Sequence, residues 1–179
     1  MPSDKRPLGS NAETVSRALK VLTSHPLVKD ASMLPAPRIP IQEWVRDACR
    51  ECDFMGKSWS CPPGVGSLDQ AREVLKAFSR SVFVVFRTSD RPQLEKAVLE
   101  LEASLRSSGF PRALGFFTSP CTACQSCSYP ERCPRPDSCR PTGESWGMDL
   151  MESSVQAGLP IDLVKSGEDF SPVTLFLLE

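Results

Sequence analysis

The chain has 179 residues, 40% of them hydrophobic, and a formal net charge of −1, which suits one ordinary domain with a buried core. Basic and acidic residues are interspersed without a Lys/Arg-rich run, so the charge pattern excludes a nucleic-acid partner. The longest apolar runs, residues 82–86 and 173–178, have the length of buried strands and fall far short of the roughly 20 residues that span a bilayer, which excludes membrane insertion.

Residues 1–11 are polar and lack the apolar core and small-residue cleavage site of an exported precursor. Residues 1–10 read as a disordered tail, and the expected location is the cytoplasm. Thiols stay reduced there, so grouped cysteines are expected to be metal ligands or redox groups; a disulfide framework is the reading for an exported chain.

Residues 11–24 place Val15, Ala18, Leu19 and Leu22 at helical spacing behind Ser10 or Asn11 as cap, which predicts an amphipathic helix. The single histidine, His25, falls at its end, where stabilising the helix C-terminus accounts for it. Pro26, Pro35, Pro37 and Pro40 then exclude a helix, and Ile39, Ile41 and Trp44 predict a short extended segment leading to the first cysteines. Ser67 with Gln70 forms a capping box, after which Leu68, Ala71, Val74, Leu75 and Phe78 line one helix face.

Residues 81–87 read as a buried strand. Asp90 and Gln93 repeat the capping signature, Leu94, Val98, Leu101 and Leu105 form an apolar stripe, and Gly109 stands where a left-handed cap belongs. With a second strand at 112–118, residues 81–118 predict a β-α-β unit whose parallel pair is joined by a right-handed crossover. A helix over 144–157 ending at Gly158, and a hairpin of 160–165 with 173–178, complete the chain. The expectation is a single α/β domain over 1–179, with helices packed on a mixed sheet and two cysteine-rich metal-binding loops.

Those loops carry the chemistry. Cys49, Cys52 and Cys61 form the first, and Cys61 is followed by Pro62, Pro63, Gly64 and Gly66. Rigid turns and residues without Cβ bulk let a backbone close tightly around a metal centre, although a plain loop ahead of the helix at Ser67 needs them equally. Cys121, Cys124, Cys127, Cys133 and Cys139 form the second, five thiols within nineteen residues. In Cys-x2-Cys-x2-Cys, a compact turning backbone lets each thiolate reach a different iron of one cubane, and Cys133-Pro134 looks like the Cys-Pro that continues the bacterial ferredoxin run. Five residues rather than three precede Cys133, which departs from that run.

Two partitions follow. Cys121, Cys124, Cys127 and Cys139 with Cys49, Cys52, Cys61 and Cys133 make two closed four-thiol sites. Alternatively, Cys121, Cys124, Cys127 and Cys133 close one site and leave Cys49, Cys52 and Cys61 with an open metal position, the usual mark of a catalytic metal. Zinc is the competing cofactor, because Cys-x2-Cys pairs in two separated segments are the shape of a four-thiolate zinc site; three thiols at successive two-residue gaps favour iron–sulfur over it. Trp59 and Trp146 lie near the cysteines, and core packing is the expected role of both. No nucleophile triad is readable, and Gly64-Val65-Gly66 is too short for a phosphate loop.

The order Cys-x2-Cys, Gly-Lys-x-Trp-x-Cys-Pro-Pro, a β-α-β stretch and Cys-x2-Cys-x2-Cys-x-Tyr-Pro resembles a cysteine-rich family of unknown function, the predicted metal-binding proteins of DUF2284. The resemblance covers roughly residues 39–160. It rests on Cys49, Cys52, Gly56, Lys57, Trp59, Cys61, Pro62 and Pro63, then Pro120, Cys121, Cys124, Cys127, Tyr129, Pro130, Cys133, Pro136, Glu144, Gly147 and Met148. The family commonly has Cys-Arg-x-Pro where this chain has Cys133-Pro-Arg-Pro136, and Cys139 looks like an addition. With Cys139 set aside, the resemblance implies seven shared ligands, Cys49, Cys52, Cys61, Cys121, Cys124, Cys127 and Cys133, and so one four-cysteine and one three-cysteine site. It also implies an anaerobic setting, and it brings no established reaction.

These readings lead to three expectations. The first is an electron carrier with one or two [4Fe–4S] clusters and a partner oxidoreductase. The second is an enzyme that activates a small substrate at the open iron of a three-cysteine cluster, beside a pocket lined by Lys57 or Arg140. The third is a zinc-stabilised interaction module.

Overall fold

The structure is a computed structural model that describes residues 11–159 and 171–179. The elements in chain order are α1 (Asn11–Thr23), β1 (Val28–Pro35), α2 (Glu43–Asp47), α3 (Leu68–Lys76), β2 (Arg80–Phe86), α4 (Arg91–Ser107), β3 (Leu114–Gly115), α5 (Leu150–Gln156) and β4 (Val173–Leu178). The expected tail over 1–10 and the 160–165 arm of the closing hairpin lie outside the described residues.

Local rules account for most helix ends. The Ser67 hydroxyl accepts from the Gln70 amide while the Gln70 side chain accepts from the Ser67 amide, so both halves of the capping box are made. The Asp90 carboxylate accepts from the Gln93 amide at the start of α4, and Gly109 beyond its end has φ +99°, a conformation that disfavours any side chain.

The four strands pair antiparallel in the order β1-β2-β4-β3. Alternation along the two central strands divides the core. On one face Val82, Val84, Phe86, Phe176 and Leu178 pack on Ala18 and Leu22 of α1 and on the Leu94, Val98, Leu101, Leu105 stripe of α4. On the other, Phe83, Leu175 and Leu177 meet Leu75 of α3, Phe78, Met148 and Leu150. The result is one α/β domain with helices on both faces of the sheet.

Three expectations are corrected. The direct parallel pair is absent, because β4 inserts between β2 and β3; these two are parallel to each other but separated, a split β-α-β arrangement. The reason is that Val173–Leu178 is apolar on both faces and is satisfied only at the sheet centre, where Thr174 to Leu178 are buried. Strand β1 lies in the proline-rich stretch: it is an edge strand whose buried positions include Val28 and Leu34, and it ends on Pro35, at a sheet edge where proline is tolerated. Ile41 makes a lone bridge to Met148, but Trp44 belongs to α2 and is exposed. The helix expected over 144–157 is shorter, with a 3₁₀ turn at Glu144–Trp146 preceding α5.

Candidate metal centre

The first cysteine segment connects α2 to α3 and is closed by short-range bonds. The amides of Cys52, Cys61 and Gly56 donate to the carbonyls of Cys49, Ser58 and Pro62 at 3.1, 3.2 and 2.9 Å, and Arg46 Nη2 donates to the Gly66 carbonyl at 2.6 Å. Gly64 is the tight point, since a Cβ there would stand 2.9 Å from the Ser58 carbonyl and 3.0 Å from Trp59 Cα. The loop backbone therefore closes on itself at this residue, which a plain loop ahead of α3 and a loop around a metal centre both require.

Cys61 is buried, Cys49 half-buried and Cys52 exposed. The three are close enough that charge on Cys52 pushes the Cys49 and Cys61 thiols up, adding to the larger effect of burial. The Ser60 and Ser58 hydroxyls act the other way on Cys61. Burial thus keeps Cys49 and Cys61 protonated until a cation displaces the protons, as metal binding to thiols requires.

The second segment leaves the sheet after β3 and returns at Thr142, and the Phe117 amide bonds the Pro141 carbonyl at 2.9 Å to pinch the loop at its base. One stripe of α4, residues Arg91, Glu95, Glu102 and Arg106, holds both ends. Arg91 donates to Ser119 Oγ at 3.0 Å and to the Pro120 carbonyl at 3.1 Å. Glu95 accepts from the Thr122 amide at 2.8 and 3.0 Å. Arg140, immediately after Cys139, makes a two-pronged contact with Glu102.

Cys121, Cys124, Cys127, Cys133 and Cys139 line a single cavity with Trp59 and Pro134. Cys133 thus shares a cavity with the other cysteines of the second segment. Cys121 Sγ lies 3.7 Å from the Ser138 carbonyl; the neighbouring Cys139 thiol, with the Ala123 amide, brings Cys121 down to about 7, and Cys121 together with burial pushes Cys139 up. Among the described residues, no three His, Cys, Asp or Glu side chains converge as ligands of one bare ion. The donor set is nonetheless all sulfur, the chemistry that soft-metal and iron–sulfur sites need.

The two segments touch through Trp59 and Ser60. Trp59 Nε1 donates to the Glu131 carbonyl at 2.7 Å, and its ring meets Tyr129 edge-on at 5.0 Å. Trp59 is thus a cavity wall rather than a core residue, whereas Trp146 does pack in the core, edge-on against Phe116 at 5.1 Å. Ser60 Oγ accepts from the Cys121 amide at 2.9 Å. Lys57 is exposed, and Arg140 is committed to Glu102.

Sequence reasoning passed over Ser58, Ser60, Arg91, Glu95 and Glu102. The charged stripe carried a signal, since Arg91, Glu95, Glu102 and Arg106 repeat at i, i+4, i+11 and i+15 beside the apolar stripe. The serines carried none, because their partner lies 61 residues away.

Among the described residues no helix is long and apolar enough to cross a membrane. Searches of curated proteins and of solved structures find no match. The family model described as "Predicted metal-binding protein (DUF2284)" matches residues 32–178, which include all eight cysteines, and the chain belongs to that family.

Proposed function

We propose that this protein is an iron–sulfur electron carrier, with a [4Fe–4S] cluster in the second segment and a further cluster at Cys49, Cys52 and Cys61. The observation that carries this reading is the set of five thiols distributed around the walls of one cavity. A cluster takes its protein ligands on its outside, one per iron, whereas a single zinc ion draws four sulfurs to about 2.3 Å from one point. When bound, such a cluster supplies one-electron transfer at low potential.

The protein's own residues give that centre a stiff and sheltered site. Arg91, Glu95 and Arg140 clamp the loop ends to α4, so the ligands shift little when charge changes. Trp59 covers one wall and limits water. Cys52, exposed in the first segment, brings that end of the site to the surface, where a partner oxidoreductase exchanges electrons. None of the eight cysteines is tied up in a disulfide, which leaves every thiol available as a ligand, and the cytoplasmic, anaerobic setting that goes with this reading is one in which an oxygen-sensitive cluster survives.

One observation favours the open-site enzyme as a second reading. A cleft of mixed charge, lined by Arg46, Pro62, Pro63 and the Arg50–Asp47 and Arg72–Asp69 pairs, lies against the first segment, and three thiols in that segment would leave one iron free for a small ligand.

Metal and acid-labile sulfide content, measured on protein purified without oxygen, tests the proposal. About four irons and four sulfides per filled site support it. Zinc without sulfide overturns it in favour of a zinc-stabilised module.

A further inference from the structure

Ser58 and Ser60 are buried, at 3% and 0% exposure, and both hydroxyls stand between the two cysteine segments. A buried hydroxyl must find partners for its proton and lone pairs. Ser60 Oγ accepts from the Cys121 amide at 2.9 Å, contacts Ser58 Oγ at 2.8 Å and lies 3.9 Å from Cys61 Sγ. Ser58 Oγ in turn accepts from the Ser60 amide at 3.3 Å.

Counting protons gives this chain a direction. A metal-bound Cys61 thiolate has no proton to offer and only accepts. Ser60 then turns its single proton to Cys61, its two lone pairs take the Cys121 amide and one further donor, and Ser58 supplies that donor. The order is Ser58 to Ser60 to Cys61, with Cys121 N–H joining at Ser60.

We propose that Ser60 is a positioning residue shared by both thiolate sites, its hydroxyl donating to Cys61 Sγ in the first and holding the backbone of Cys121 in the second. This rests on the reading that each segment holds a cluster. Outer-shell hydrogen bonds of this kind orient ligands, are worth roughly 10–100-fold in metal retention, and a donor aimed at a ligand sulfur raises the reduction potential of its cluster. Ser58 bears on the first site alone, by holding the Ser60 hydroxyl at 2.8 Å and through its own hydroxyl beside Cys61, and its influence does not reach the second site, because the bond from the Cys121 amide survives without it.

The test uses full-length protein purified without oxygen and follows iron release to a chelator by visible absorbance. Cys124→Ser disables the second site and Cys61→Ser the first, so each site is read alone. Ser60→Ala is expected to speed release about tenfold or more in both backgrounds and to lower the midpoint potential of the first site, a change that a merely structural serine does not produce. Ser58→Ala is expected to do both at the first site and neither at the second. Unchanged release from the second site in Ser60→Ala, or an unmoved potential at the first, overturns the proposal. So does a Cys124→Ser protein that retains no iron, since no first site then exists. If Ser60→Ala does not fold, Ser58→Ala still decides: equal loss at both sites contradicts the direction of the chain. Zinc without sulfide in the unaltered protein defeats the iron–sulfur reading itself, whereas iron present with a silent Ser60→Ala defeats only the role of Ser60.

Discussion

Arg140 closes on Glu102 with two hydrogen bonds, Nε to Oε2 at 2.8 Å and Nη2 to Oε1 at 2.6 Å, tying the residue after Cys139 to the middle of α4. Glu102 is 2% exposed and also accepts from the Gly115 amide at 2.8 Å and pairs with Arg106 at 2.7 Å. Replacing Arg140 by Met leaves this buried carboxylate short of its main partner, at a cost of about 3 kcal/mol. Urea unfolding at neutral pH measures the loss, and metal content of the second segment should fall with it.

Glu95 and Glu102 share one helix and have opposite pH signatures. Burial pushes Glu102 up, but the Arg140 hydrogen bonds, the Gly115 amide and the charges of Arg140 and Arg106 more than reverse this, leaving it below the usual carboxylate range. Its stabilisation is present above the unfolded-state value of about 4.3 and is lost as pH falls through the folded one. Glu95 is raised, because burial outweighs the Thr122 bonds and the Arg91 charge, so its ionisation costs stability as pH rises through its folded value. Glu102→Gln should therefore lower neutral-pH stability and flatten its decline in acid. Glu95→Gln should steepen the rise from acid to neutral pH, both read from urea midpoints across that range.

Trp59→Phe keeps a ring beside Tyr129 but loses the bond to the Glu131 carbonyl, at a cost of about 1 kcal/mol. Trp59→Ala removes the cavity wall as well. Visible absorbance in air should bleach faster in the alanine variant than in the phenylalanine one.

Cys133 and Cys139 line the same cavity, and the proposed reading, following the family resemblance, takes Cys133 as the fourth ligand. Cys133→Ser is expected to lose the metal of the second segment. Cys139→Ser is expected to retain it. Metal analysis of the two variants separates these outcomes.

Gly115 is held by volume. A Cβ there would stand 2.8 Å from both Phe176 Cε1 and Val98 Cγ1, two side chains locked in the core. Gly115→Ala is expected to cost about 1–3 kcal/mol, measured as a lowered thermal midpoint.

The legible parts of the chain are those whose partners are near in sequence. Ser67 with Gln70, Asp90 with Gln93, and the Leu94 to Leu105 stripe specify α3 and α4 through contacts within a few turns. Strand β1 was hidden because a register shift between Val28 and Asp30 leaves the adjacent Lys29 and Asp30 both exposed, which breaks the alternation at a sheet edge. The β2–β3 pairing was misread because the segment that separates them, β4, lies about 60 residues further along the chain, and local patterning cannot announce an insertion from so far away.

The same division applies to the site. Spacing alone marked Cys121, Cys124 and Cys127 as a candidate soft-metal motif, set Cys49, Cys52 and Cys61 apart as a second group, and carried the resemblance to a metal-binding family that the family match bears out. Both segments are short enough for sequence separation to limit spatial separation. Only the tertiary structure decided that Cys133 shares a cavity with Cys139, that Trp59 walls it, that α4 clamps its ends, and that Ser60 joins it to Cys61. Those relationships link segments up to 72 residues apart, and they exist only once the sheet and α4 have brought the two loops together.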